Sequence, residues 1–181
     1  MEKVIGIVPA RAGSKRLKNK NILLLDGETL AARAAKTLLD SGIENVYVSS
    51  DYDEAKLCLP KKAKYLKRDK AYSRDHVPLQ TAIKYAINQI DKDCEYVVIL
   101  MPNCPEITSD DINRGFDIIY ENNSNILRTY SYTTGGENGL IIVKRDYLIY
   151  HWIDVYASSL EAGGSEIHTM DDYLFIKNKG I

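Results

Sequence analysis

The chain has 181 residues, of which 45% are hydrophobic and 27% are charged, and its formal net charge is −1. These values are typical of one globular domain with a sizeable core, and the balanced charge excludes a general nucleic-acid binder. Three scattered cysteines without a CxxC pair or metal-ligand spacing predict reduced thiols in a cytoplasmic protein. The charged first residues predict no secretory leader, and no apolar run is long enough to predict a membrane span.

Strand-like and helix-like segments alternate along the chain. The predicted strands are short apolar or β-branched runs at 4–8, 45–50, 63–66, 96–100, 126–132 and 140–143. The predicted helices carry apolar residues at helical spacing over 28–41 and 77–90. A third begins at 108–111, which resembles a capping box, and 169–172 is typical of another helix start. Gly42 is predicted to end the first helix. This alternation predicts an α/β fold, with a mostly parallel sheet and helices on both faces.

Ligands of such sheets bind at the carboxyl ends of the strands, where we expect the loops after Val8, Ser50 and Leu100 to meet. The first loop carries a Gly-Ser step among five cations, at positions 11, 15, 16, 18 and 20. It matches neither the P-loop nor the GxGxxG pattern. Small residues let a backbone approach an anion closely, and guanidinium and ammonium groups suit a triphosphate. We therefore predict a phosphate site, with a solvated basic loop as the alternative.

The segment PARAGSKRLKNKN, residues 9–21, closely resembles the N-terminal signature of the CMP-sugar synthetases. These cytidylyltransferases act on sialic acid and related 2-keto sugar acids. Later segments resemble the same family in the same order: VSSDYDE (48–54), YLKRDKAYSRD (65–75), VILMPNCPEITSDDI (98–112) and ENGLIIVKRD (137–146). The resemblance implies a single Rossmann-like nucleotidyltransferase (GT-A-like) domain over residues 1–181. It also implies transfer of CMP from CTP to a small sugar acid, with Mg²⁺ as cofactor. The balanced charge and the lack of a long apolar run predict no nucleic-acid or membrane partner.

The same resemblance implies roles for individual residues. Arg11 and Lys20 would act in catalysis by neutralising negative charge at the triphosphate. Nucleotide binding would involve Ala10, Arg11, Gly13, Ser14, Lys15, Lys20, Asn21 and Arg68. The metal would be held by Glu166 and Asp172, with Asp51 as a third candidate. Arg68 also lies in a lysine-rich run, so a solvated surface cation is an equal alternative for it.

Several positions depart from the family pattern. Longer members carry a segment that reaches across a dimer, and it is missing between Tyr132 and Glu137. Met101 and Ile107 stand where the family has a Gln and an Arg, and His168 stands where it has a metal-binding aspartate. These departures support an alternative function, a shortened non-catalytic relative that binds a nucleotide or a partner. They also predict either a monomer or a homodimer built on another surface, for which the tyrosine-rich C-terminal third is a candidate.

Overall fold

The computed structural model describes residues 3–132, 136–150 and 157–180. The strands are β1 (Val4–Pro9), β2 (Leu24–Leu25), β3 (Glu28–Thr29), β4 (Asn45–Ser50), β5 (Lys64–Lys67), β6 (Tyr96–Leu100), β7 (Ile126–Ser131), β8 (Gly136–Lys144) and β9 (Ser158–Glu161). The α-helices are α1 (Leu30–Asp40), α2 (Leu79–Ile87), α3 (Ser109–Asn122), α4 (Arg145–Tyr150) and α5 (Met170–Lys179). Short 3₁₀ helices lie at Lys20–Ile22, Glu54–Leu57 and Lys70–Ser73.

One large sheet organises the chain, with its strands in the order β5-β4-β1-β6-β8-β7-β9. β1 pairs in parallel with β4 and β6, and β4 pairs in parallel with β5. β8 runs antiparallel to both of its neighbours, β6 and β7, whereas β9 pairs in parallel with β7. The predicted mostly parallel sheet is confirmed, with β8 as the reversed strand.

Helices cover both faces of this sheet, as predicted. On one face α1 and α3 bury Leu38 and Phe116 against alternate strand residues such as Val98. On the other face α2 and α4 bury Ile83 and Leu148 against the intervening strand residues. Because the central strands are covered on both sides, their sequences are continuous apolar runs, and every residue of β6 is buried.

Capping residues set where two of the helices begin. Thr108 and Asp111 form the predicted capping box at the start of α3. Thr169 and Asp172 form a second box at the start of α5, where the sequence predicted a helix start. In each box the threonine side chain accepts the N–H of the aspartate, whose carboxylate accepts the N–H of the threonine. Gly42, with φ of +88°, follows the first helix as predicted.

Other boundaries differ from the sequence prediction for identifiable reasons. α1 begins at Leu30 because the preceding pair, Glu28–Thr29, forms a small hairpin with β2. α2 begins at Leu79, since the proline before it is extended. β8 begins at Gly136 because its first half pairs with β7 as far as Ser131. The short elements α4 and β9 were not predicted.

The loops after β1, β4 and β6 meet at the carboxyl edge of the sheet, as predicted. Among the described residues, no helix has the length and apolarity needed to cross a membrane. Two sequence predictions fall largely outside the described residues. One is the shortened connection at 133–136, and the other is the part of the aromatic-rich C-terminal third that lies within 151–156.

Candidate active site

The loop after β1 is held in shape by hydrogen bonds at both of its ends. Ala12 N–H donates to Asp51 Oδ1 at 2.8 Å, so the carboxylate that follows β4 fixes the start of the loop. Asn21 Nδ2 donates to the carbonyl oxygen of Arg11 at 2.9 Å and closes the loop from its far end. This backbone is therefore shaped before a ligand arrives, which lowers the cost of binding a phosphate group.

Two cations of this loop share one carboxylate. Arg11 Nη1 donates to Asp75 Oδ1 at 2.5 Å, and Lys15 Nζ lies 2.7 Å from Asp75 Oδ2. Arg11 Nη1 also donates to the carbonyl oxygen of Ser73 at 3.3 Å. Hydrogen bonds from Lys15 and Arg11 lower the pKa of Asp75, which keeps this carboxyl ionised. The loop before α2 is thereby attached to the loop after β1.

Lys20 lies deeper than the other cations of the loop. Its Nζ donates to the carbonyl oxygen of Ile167 at 3.1 Å, which links the loop to the segment before α5. Burial lowers the pKa of Lys20. A desolvated ammonium group interacts more strongly with an incoming anion than an exposed one does.

That segment before α5 contributes Glu166 and His168. Arg16 Nη2 lies 3.0 Å from His168 Nδ1, and His168 Nε2 lies 2.8 Å from Glu166 Oε2. A guanidinium can only donate, so Nδ1 accepts and the ring proton is on Nε2, which donates to Glu166. Asn103 Nδ2 donates to the same carboxylate oxygen at 3.1 Å. Glu166 is thus held in place by two donors through Oε2 alone.

The facing wall is built by β7, β8 and the loop after β6. Arg128 Nη1 donates to Glu137 Oε2 at 3.2 Å across the β7–β8 pair. Gly139 lies so close to the loop that a β-carbon there would be 2.6 Å from Cys104 Cβ. Burial raises the pKa of Cys104 to about 12. This thiol therefore stays protonated at neutral pH and is not a nucleophile.

These walls enclose a cavity of about 630 Å³ at the carboxyl edge of the sheet, a size typical of small-molecule sites. The residues with predicted roles that line it are Arg11, Ser14, Lys15, Lys20, Asn21 and Glu166. The fold therefore gathers most of the predicted phosphate-binding residues of the loop after β1 and one predicted metal ligand around a single space. Within the described residues, no group of three or more His, Cys, Asp or Glu side chains is arranged to hold a metal ion.

Arg68 is not part of the lining of this cavity. It is only 4% exposed, so the alternative of a solvated surface cation is wrong. Its Nε donates to Ser49 Oγ and its Nη2 to the Ser49 carbonyl oxygen, both at 3.2 Å. Burial lowers the pKa of Arg68 to about 10. Arg68 braces the end of β4, immediately before the residue that orders the loop after β1.

Four other predicted residues also lie outside the cavity lining, and one of them, Asp51, orders the loop after β1 as described above. Asp172 Oδ2 accepts the backbone N–H groups of His168 and Thr169 at 2.9 Å and 2.8 Å. Burial works to raise the pKa of Asp172, but these hydrogen bonds outweigh burial and lower it. Its carboxylate therefore serves the start of α5. Ala10 is fully buried, and Gly13 is exposed.

Sequence reasoning did not find roles for several residues that line the cavity. Asp75 is the last residue of the family-like segment 65–75, and nothing local indicates its two cationic partners. Asn103 follows β6 in one of the three loops predicted to meet, so its position was a usable signal. Arg128 and Glu137 carried no signal in residue type; the short connection between their two strands indicated antiparallel pairing, but not that this pair would line the cavity.

A cation-lined cavity at the carboxyl edge of an open α/β sheet is typical of nucleotide-handling proteins. The family model described as cytidylyltransferase matches residues 5–140, and the chain belongs to that family. The pseudaminic acid cytidylyltransferase of Campylobacter jejuni subsp. jejuni serotype O:23/36 (strain 81-176) is 30% identical over 128 residues, covering 67% of this chain and 55% of that protein. The N-acylneuraminate cytidylyltransferase of Escherichia coli O18:K1:H7 (strain RS218 / NMEC) is 34% identical over 105 residues, covering 57% of this chain and 25% of that protein. The matches therefore span about half of the first relative's length and less of the second's.

Solved structures agree on the fold. The structure of CMP:2-keto-3-deoxy-manno-octonic acid synthetase complexed with CTP superposes with a TM-score of 0.76 at 13% identity, covering 98% of both chains. A Mycobacterium tuberculosis H37Rv protein solved as a complex with manganese superposes with a TM-score of 0.72 at 12% identity, covering 97% of this chain and 98% of that one. The predicted nucleotidyltransferase fold and the predicted family are confirmed.

Proposed function

We propose that this chain transfers CMP from CTP to a sugar acid of the sialic or related 2-keto class and releases pyrophosphate. The observation that carries the proposal is the pre-shaped loop after β1, with Arg11, Lys15 and Lys20 on the wall of one cavity. Family membership supports the nucleotidyl transfer, and the two relatives named above act on pseudaminic acid and N-acylneuraminate. The second substrate would lie beside the loop, against the part of the cavity that residues of β7 and β8 line.

The proposed reaction needs little covalent chemistry from the protein. The anomeric hydroxyl oxygen of the sugar acid attacks the α-phosphorus of CTP and forms the new phosphorus–oxygen bond. The bond from the α-phosphorus to the oxygen that bridges to the β-phosphate breaks, and pyrophosphate leaves with its electron pair. The hydroxyl proton passes to water. Arg11 and Lys20 would hold the phosphates in line and neutralise the charge that develops on the leaving group.

A divalent cation fits the proposed site through one protein carboxylate. Glu166 lines the cavity and uses Oε2 for its contacts with Asn103 and His168. Asp172, the second predicted ligand, is committed to the start of α5. Mg²⁺ commonly binds through one or two carboxylates together with phosphate oxygens and water, and when bound it supplies charge neutralisation at the phosphates. We therefore propose Glu166 as the protein ligand of Mg²⁺.

A second candidate function is nucleotide binding without turnover. The observation that favours it is the neutral imidazole of His168, which occupies the neighbourhood of Glu166 where the family resemblance implies a second carboxylate. A weakly held metal would slow transfer while leaving the cations of the loop able to bind a triphosphate.

Pyrophosphate release tests the two candidates against each other. Purified protein is incubated with CTP, Mg²⁺ or Mn²⁺, and a panel of nine-carbon and eight-carbon 2-keto sugar acids. We expect release that needs both CTP and one class of sugar acid. CTP binding in calorimetry with no release under any combination of metal and sugar acid would favour the binding protein over the enzyme. Absence of CTP binding would overturn both.

A further inference from the structure

One carboxylate lies among the cations that the proposed function assigns to the triphosphate. Asp75 places one oxygen 2.5 Å from Arg11 Nη1 and the other 2.7 Å from Lys15 Nζ. All three side chains line the same cavity. Two oxygens of one anionic group thus bridge two cations of the loop, which is the arrangement that two oxygens of a phosphate group would adopt there.

We propose that the carboxylate of Asp75 occupies the phosphate site as a resident anion. An incoming polyphosphate displaces this carboxylate from Arg11 and Lys15, and the carboxylate competes with pyrophosphate for the same two cations when the product leaves. This inference rests on the proposed function for the identity of the displacing ligand. Asp75 is then a positioning residue that keeps Arg11 and Lys15 ordered in the free protein. Its effect on polyphosphate affinity is the opposite of theirs, because Asp75 weakens binding whereas the loop cations strengthen it.

The position of Asp75 permits this exchange. Its side chain is 36% exposed and lies between the 3₁₀ helix at Lys70–Ser73 and the start of α2, so it can move without disturbing the sheet. A carboxylate carries one negative charge, whereas a polyphosphate carries several and has more oxygens for the same donors. Exposed ion pairs are individually weak, so the polyphosphate wins the competition at a modest cost in affinity.

The charge balance of the loop also supports a resident anion. Arg11 and Lys15 would repel each other across the cavity wall if no negative group lay between them. With Asp75 present, Arg11 and Lys15 keep their positions. They attract a polyphosphate with their full charge only after the Asp75 carboxylate has moved away from them. A ligand with a single charge gains little from the exchange, so the site should favour polyphosphates over simple anions such as chloride.

Binding of inorganic tripolyphosphate, measured by calorimetry at low ionic strength, tests the inference without relying on CTP turnover. We expect Asp75→Asn to bind tripolyphosphate roughly three- to tenfold more tightly than the wild type, and Asp75→Glu to bind like the wild type. Asp26→Asn is the matched control, because it removes the same charge from an exposed ion pair with Arg33. It should leave the affinity unchanged.

Any other result in these tripolyphosphate titrations overturns the inference. If Asp75→Asn binds tripolyphosphate no more tightly than the wild type, or more weakly, Asp75 is a support for the cations and not a competitor. If neither protein binds tripolyphosphate, the loop is not a phosphate site. The proposed function fails separately, when Asp75→Asn tightens tripolyphosphate as expected but no sugar acid yields product with CTP. In an active enzyme, Asp75→Asn should also lower the inhibition constant of pyrophosphate by a similar factor.

Discussion

Removing the Arg11 guanidinium should weaken CTP binding through the loss of hydrogen bonds to phosphate. In the free protein this group donates to Asp75 and to the carbonyl oxygen of Ser73. Hydrogen bonds to charged groups contribute about 1.5–3 kcal/mol, and part of that gain is offset because Arg11 gives up its contacts in the free protein. The net expectation for Arg11→Ala is a Kd about 10- to 30-fold higher, or about 1.4–2 kcal/mol.

The matched control for this change is Lys18→Ala. Lys18 belongs to the same loop and carries the same charge, but it is exposed and is not among the residues that line the cavity. CTP is titrated into both variants in a calorimeter, at low and at raised ionic strength. The comparison separates a direct contact between Arg11 and CTP from the general electrostatic attraction of a positively charged loop. The wild-type affinity should fall as salt rises. Equal losses in Arg11→Ala and Lys18→Ala, or no loss in Arg11→Ala, would refute the reasoning.

Three more predictions concern the metal, the pH dependence and the cavity wall. His168→Asp should raise turnover with Mg²⁺, because it replaces the neutral imidazole beside Glu166 with a second carboxylate that this metal can use; equal turnover with Mg²⁺ in both proteins would contradict this. Because burial lowers the pKa of Lys20, its ammonium group should lose its charge at a pH below the ordinary lysine value of 10.5, and CTP affinity should fall as that charge is lost. Lys20→Arg should abolish this loss of affinity in CTP titrations across pH. Gly139→Ala should cost about 1–3 kcal/mol of unfolding free energy in urea through its contact with Cys104, whereas Gly136→Ala, which meets nothing within 4 Å, should cost far less.

The sequence predicted the structure well where a conformation depends on interactions between residues that are close together in the chain. The apolar run of β1, the small residues and cations after it, and the two capping boxes each fix a conformation within a few residues. A continuous apolar run also identifies a strand buried on both faces. It does not carry the direction of that strand. The signal for the reversal of β8, which builds the wall opposite the loop, lies instead in the connection from β7, which is too short for a parallel crossover.

Only the part of the candidate site that the loop after β1 contributes could be predicted, because only its residues are close together in the sequence. The cations of the loop are neighbours in the sequence, and their number and spacing are visible there. Their partners are brought in by the fold: Asp75 is 64 positions from Arg11, and His168 is 152 positions from Arg16. Arg68 and Asp172 are the opposite case, because residue type and family resemblance predicted them as site residues. In the structure Arg68 is buried against Ser49, and Asp172 caps the start of α5.

The most direct test of the account is the identity of the product formed from CTP and a 2-keto sugar acid, followed by phosphorus NMR. The account predicts one new phosphodiester signal, from CMP joined to the anomeric oxygen, together with an equal amount of pyrophosphate. Arg11→Ala should form both more slowly, and Lys18→Ala should form both at the wild-type rate. CTP that remains unchanged with every metal and sugar acid, or that yields free CMP without a sugar conjugate, would contradict the proposed transfer.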